Sequence, residues 1–136
     1  MNKKMLIIII IAIVVVAGGV VVFLMMRGEP AEKPIDYGYY TPGDFFVTNV
    51  KDSGHLLKAS IVLVLNTSDT KLQDELKIHN ARIRDTIIFL LREMDVTAIQ
   101  LVDHKDKLRR DIIEQLNNSL NIDNIIEVLF NEFVMQ

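Results

Sequence analysis

The sequence predicts an α+β protein: one membrane-spanning helix, a linker, and a domain of order β-β-α-α-α-β whose antiparallel sheet is covered by helices. Three observations predict it. From Met5 to Met26 no residue carries a charge, an amide or a hydroxyl. Residues 45–65 hold an aromatic and β-branched run and an alternating aliphatic run, separated by a turn. Beyond Gly54 there is neither glycine nor proline, and apolar residues recur at helical spacing almost to the last strand.

The elements follow in chain order. A helix over residues 5–26 spans roughly 33 Å at about 1.5 Å per residue, matching a hydrocarbon core of about 30 Å. Lys3 and Lys4 precede it, while Arg27 is soon joined by Glu29 and Glu32. The positive-inside rule therefore places residues 1–4 in the cytoplasm and the rest outside. Ala17, Gly18 and Gly19 have the small size of a signal-peptidase site. The apolar run continues well beyond them, longer than the usual signal h-region, so an uncleaved anchor is expected. Residues 27–44 carry Pro30, Pro34 and Pro42 and read as an extended linker, since proline disfavours helix at the residue before it.

Residues 45–136 form the extracytoplasmic domain. Phe45 to Val50 suits a strand. Lys51-Asp52-Ser53-Gly54 makes a turn, with Gly54 free to take positive φ. From Leu56 to Leu65, Leu57, Ala59, Ile61, Leu63 and Leu65 share one face. Val62 and Val64 extend burial to the other face, so the second half of this strand is expected to be covered on both sides. Leu72, Leu76, His79, Ile83, Ile87, Leu90 and Met94 form a helical stripe; His79-Asn80 interrupts it, which fits one helix or two with a break there. Thr67, Ser68 and Asp69 are its N-cap candidates. A further helix carries Leu108, Ile112, Leu116 and Leu120, with Asp103 as a possible cap and Asn117, Asn118 and Asn121 at its end. In the final strand Ile126, Val128 and Phe130 set one phase and Phe133 and Met135 the opposite one. A strand changes face only by an extra residue, so a bulge or bend is expected near Asn131-Glu132.

Charge and composition exclude several functions. The chain is 136 residues long, with 15 Lys/Arg and 18 Asp/Glu; the acidic excess lies beyond Arg27. Such a domain lacks the electrostatic footprint for nucleic acid. There is no cysteine, hence no disulfide and no thiol chemistry. His55, His79 and His104 lack the i, i+4 spacing of a zinc pair, and His79 falls on the apolar stripe as a core or rim residue. Asp103-His104 reads as a helix start, and no serine sits in a nucleophile-elbow context. No Gly-rich phosphate loop precedes a helix. The expectation is therefore no catalytic residue, cofactor, metal or small-molecule ligand. One cluster stands apart: Arg82, Arg84 and Asp85 lie beside the apolar helix positions Ile83 and Ile87. It reads either as a polar helix face or as a subunit or partner contact.

Four stretches also resemble the flagellar basal-body-associated FliL family. They are Tyr40-Thr41-Pro42-Gly43-Asp44-Phe45-Phe46-Val47-Thr48-Asn49-Val50; Ile83-Arg84-Asp85-Thr86-Ile87-Ile88 with Leu90-Leu91; Leu108 to Asn117; and Val128 to Gln136, with its Phe130-x-x-Phe133-x-x-Gln136 pattern. Asn80-Ala81 departs from a proline common in the family, and Glu93-Met94-Asp95 from a Ser/Lys-rich stretch. The resemblance implies a stomatin/prohibitin-like domain anchored in the bacterial inner membrane. It further implies a homo-oligomeric ring around the ion-channel subunits of the motor stator, supporting torque, swimming and swarming. A scaffold subunit of a secretion or pilus machine is the alternative with the same anchor and domain size.

Overall fold

The computed structural model describes residues 2–26, 34 and 36–136. The chain divides into two compact units, Met1–Pro34 and Ile35–Gln136. The first contains helix α1, Lys3–Met26, continuous through Gly18 and Gly19. Its stretch Lys3–Phe23 is long and apolar enough to cross a membrane. Part of the expected linker, residues 27–33 and 35, lies outside the described residues, as does Met1.

The second unit is a four-stranded antiparallel sheet with helices against one face. Its strands are β1 (Gly38–Tyr40), β2 (Phe46–Asn49), β3 (Leu56–Leu65) and β4 (Ile125–Met135). β3 is central. β1 pairs with Leu63–Leu65 and β2 with Leu56–Ala59 along one side, while β4 runs along the other. The alternation in β3 produces the core as expected: Leu57, Ala59, Ile61, Leu63 and Leu65 are all fully buried. On the opposite face Val64 is buried but Val62 only half-buried, so double cover is limited to the end of the strand.

β1 corrects the sequence reading, which assigned Gly38–Tyr40 to the linker. Three residues are too few for a period-two signal, and their strand exists only because Leu63–Leu65 offers a free edge. Gly38 is required there, since a Cβ would overlap the carbonyl oxygen of Thr67. The β2–β3 turn differs in detail as well. The left-handed residue is Asp52, at φ 52°, and not Gly54. Asp tolerates this region through local hydrogen bonding of its short side chain.

The expected bulge is present. Ser60 pairs with Glu132 and Ile61 with Phe130, leaving Asn131 as the extra residue. Phe130 and Phe133 consequently share the inner face, with ring centroids 4.9 Å apart. A second register shift, between Val64 and Leu65, leaves Ile126 unpaired in the same way.

The domain helices are α2 (Thr70–Ile78), α3 (Asn80–Arg92), α4 (Val96–Gln100) and α5 (Val102–Leu120). Asp69 caps α2 by accepting from the Lys71 amide at 3.0 Å. The chain breaks at His79, which decides between the one-helix and two-helix readings of the interrupted stripe, and α3 buries Ile83, Ile87 and Leu91. Tyr40 secures the break: its hydroxyl lies 3.2 Å from the Leu76 carbonyl and 3.0 Å from Asn80 Oδ1. Helix α4 is additional to the sequence reading; Asp95 caps it by accepting from the Ala98 amide at 2.8 Å. Asp103 is not a cap. The α5 cap position is Leu101, and Asp103 sits in the first turn, where a carboxylate complements the helix dipole. At the far end Asn121 adopts the left-handed conformation, φ 55° and ψ 47°, closing α5. Asn117 then grips the start of β4: its amide donates to the Ile125 carbonyl at 2.8 Å and accepts from the Ile125 amide at 3.2 Å.

Candidate partner-binding surface

Helix α3 carries the charged cluster, and packing of its apolar stripe decides where each charge points. With Ile83, Ile87 and Leu91 buried against the sheet, Arg82 and Asp85 are exposed and Arg84 is half-buried. The three side chains therefore do different things.

Arg84 turns inward along the domain. Its guanidinium donates to the carbonyl of Pro42 at 3.0 Å and to that of Phe45 at 3.3 Å. Its Cζ lies 4.5 Å from the centroid of the Phe46 ring, a cation–π contact. The planar fork thus ties the loop between β1 and β2 onto α3. Gly43 makes room for it, at φ 146°. Arg82 reaches α5, donating to the Ser119 carbonyl at 3.3 Å, where the helix end presents unpaired acceptors. Asp85 makes no hydrogen bond or ion pair among the described residues. The structure thus separates a cluster that the sequence places together: Arg84 within the fold, Arg82 at its rim, Asp85 outward.

The surface around Asp85 has a feature not singled out in the sequence. Phe89, one turn further along α3, is 65% exposed, and Arg92 follows three residues later. At i, i+4 and i, i+3 spacing these side chains share one helix face. Phe89 falls off the apolar stripe, which was the available signal. Large exposed apolar residues also lie on the sheet face opposite the core, among them Tyr39, Val47, Leu129 and Val134. The Lys58–Glu132 pair crosses that face at 3.0 Å.

Among the described residues the remaining titratable groups are dispersed over the domain. Among the described residues no group of three or more His, Asp or Glu is placed to hold a metal ion. His55 and His104 are exposed and His79 half-buried at the rim. Burial raises the Tyr40 hydroxyl above its ordinary value, opposed by the nearby Lys77 charge. The hydrogen bond from Lys51 to Glu93 raises the Lys51 ammonium, and that from Lys77 to Asp74 does the same for Lys77. These are tuned by structural contacts and converge on no common cavity.

Comparison with known proteins gives this surface a context. The family model described as flagellar basal body-associated protein FliL matches residues 39–136. The flagellar protein FliL of Aquifex aeolicus (strain VF5) is 25% identical over 107 residues, covering 79% of this chain. The matched stretch spans 65% of that protein's length.

Proposed function

The chain belongs to the family of flagellar basal-body-associated FliL proteins, and on that premise we propose that it is a membrane-anchored accessory of the flagellar motor. The observation that carries this reading is the family match across 39–136, nearly the whole folded domain, following a helix of membrane-spanning length. In the proposed arrangement α1 anchors the protein in the cytoplasmic membrane with its domain outside. Copies assemble into a ring beside or around the stator and support torque and motility. The protein works through contacts and performs no catalysis. The tether favours such weak contacts, because confinement raises the effective concentration of neighbours.

The test is a clean deletion complemented by the full chain. Swimming and swarming should fall in viscous media, and stator subunits should co-purify from intact membranes with the complementing protein. A reporter active only outside the cytoplasm, fused after Gln136, should be active and remain in the membrane fraction. Normal motility in the deletion strain across viscosities would refute the motor assignment.

A further inference from the structure

The sheet has an open edge at β2, and its ladder specifies which backbone groups are free there. Val50 donates to the His55 carbonyl at 3.0 Å, in register with the β2–β3 ladder. Leu56 directs both its backbone groups at Gln136, each bond 2.8 Å, so Asn49–Leu56 is a non-hydrogen-bonded pair. In an antiparallel ladder such pairs alternate with bonded ones. The backbone N–H and C=O of Val47 and Asn49 therefore face away from β3. Among the described residues no bond outside the ladder engages them.

Beside this edge runs a groove of roughly 320 Å³, lined by Val47, Thr48, Asn49, Leu56, Ile88 and Arg92. Its helical wall is one row of α3, because Arg84, Ile88 and Arg92 recur every fourth residue. At one end of the row Arg84 is satisfied by the Phe45 carbonyl. At the other, Arg92 is exposed and has no hydrogen bond, ion pair or ring contact among the described residues. The hydroxyl of Thr48, a residue only 6% exposed, also lacks a partner. An open strand edge, a helical wall carrying Ile88 and an unpaired cation occur together here.

We propose that this groove is a docking site for an extended segment of another protein, taken up as an added strand on β2 with an acidic side chain on Arg92. Main-chain bonds to Val47 and Asn49 supply affinity, and side chains alternating toward Ile88 and Arg92 supply selectivity. Arg92 selects a carboxylate because its fork binds one bidentately. The inference does not depend on the motor assignment.

The experiment uses the full chain in lipid nanodiscs and a displayed library of random octapeptides. Enriched peptides should alternate β-branched residues and carry Asp or Glu at one fixed position. Synthesised singly, they should bind Arg92→Glu at least tenfold more weakly, and replacing their acid by Lys should restore binding to that variant. They should also slow hydrogen exchange at the Val47 and Asn49 amides. Val47→Pro removes one outward N–H without costing a ladder bond, so it should fold and lose the peptides. If it does not fold, Arg92→Glu and the exchange rates still decide. Enrichment of no acidic class, equal binding to wild type and Arg92→Glu, or unprotected Val47 and Asn49 amides would overturn the proposal. Protection that grows with protein concentration in the absence of peptide would assign the groove to a second copy and overturn it too.

Discussion

The guanidinium of Arg84 occupies the space that a Cβ on Gly43 would need, so these two residues, far apart in sequence, constrain each other. Gly43 sits at φ 146°, where side-chain-bearing residues are strained, and Arg84 fills the resulting gap with bonds to Pro42 and Phe45. Gly43→Ala should therefore destabilise the domain by about 1–3 kcal/mol through backbone strain and displacement of Arg84. Arg84→Ala should cost about 1–3 kcal/mol by leaving the Pro42 carbonyl without its charged donor. Arg84→Lys should recover only part of this, because an ammonium cannot span both carbonyls. Denaturation followed by circular dichroism on the full chain in detergent measures all three.

The Asn131 bulge sets the face of every residue after it. Deleting Asn131 should turn Phe133 and Met135 from the inner face, opposite Ala59 and Leu57, toward the outer one. With period-two alternation, one lost residue exchanges both faces. The deletion should abolish cooperative melting, whereas Asn131→Gly, which keeps the count, should shift the midpoint only slightly.

The Tyr40 hydroxyl links stability to pH. Its ionisation is raised above the ordinary tyrosine value of 10.0, chiefly by burial, so the folded state holds the proton more tightly than the unfolded state. That contribution is complete below pH 10 and disappears as pH rises through the raised value. Near neutrality Tyr40→Phe should cost about 1 kcal/mol, from the bonds to Leu76 and Asn80. The gap between wild type and variant should narrow as pH climbs past 10, measured by paired melting curves.

Asp85 is the member of the α3 cluster available to a neighbour. Asp85→Arg should leave melting within about 0.5 kcal/mol of wild type, as for an exposed surface site. It should reduce membrane crosslinking between copies if the cluster is a subunit contact. Arg82→Glu tests the rim in the same assay, although its bond to Ser119 gives it a small structural share. Unchanged crosslinking in both variants would remove the cluster from the assembly surface.

Sequence alone determined the features that depend on local pattern. The charge-free run to Met26 marks a helix suited to a membrane because composition and length decide that partition. The interruption at His79-Asn80, a cap among Thr67, Ser68 and Asp69, and an irregularity near Asn131-Glu132 were legible because each interrupts a period or supplies a local acceptor; packing chose two helices, Asp69 and a bulge at Asn131. Tertiary structure decided everything that depends on residues meeting from a distance. Gly38–Tyr40 becomes a strand only against Leu63–Leu65, and no three-residue window encodes that pairing. Asp95 starts a short helix in a segment with no periodicity to read. Arg82, Arg84 and Asp85 look equivalent along the chain, yet one bonds within the fold, one reaches a helix end and one faces outward. Side-chain type and spacing specify what a residue is able to bind. Which groups come within reach is set only when helices and sheet pack, because packing brings distant carbonyls such as Pro42 beside a given arginine.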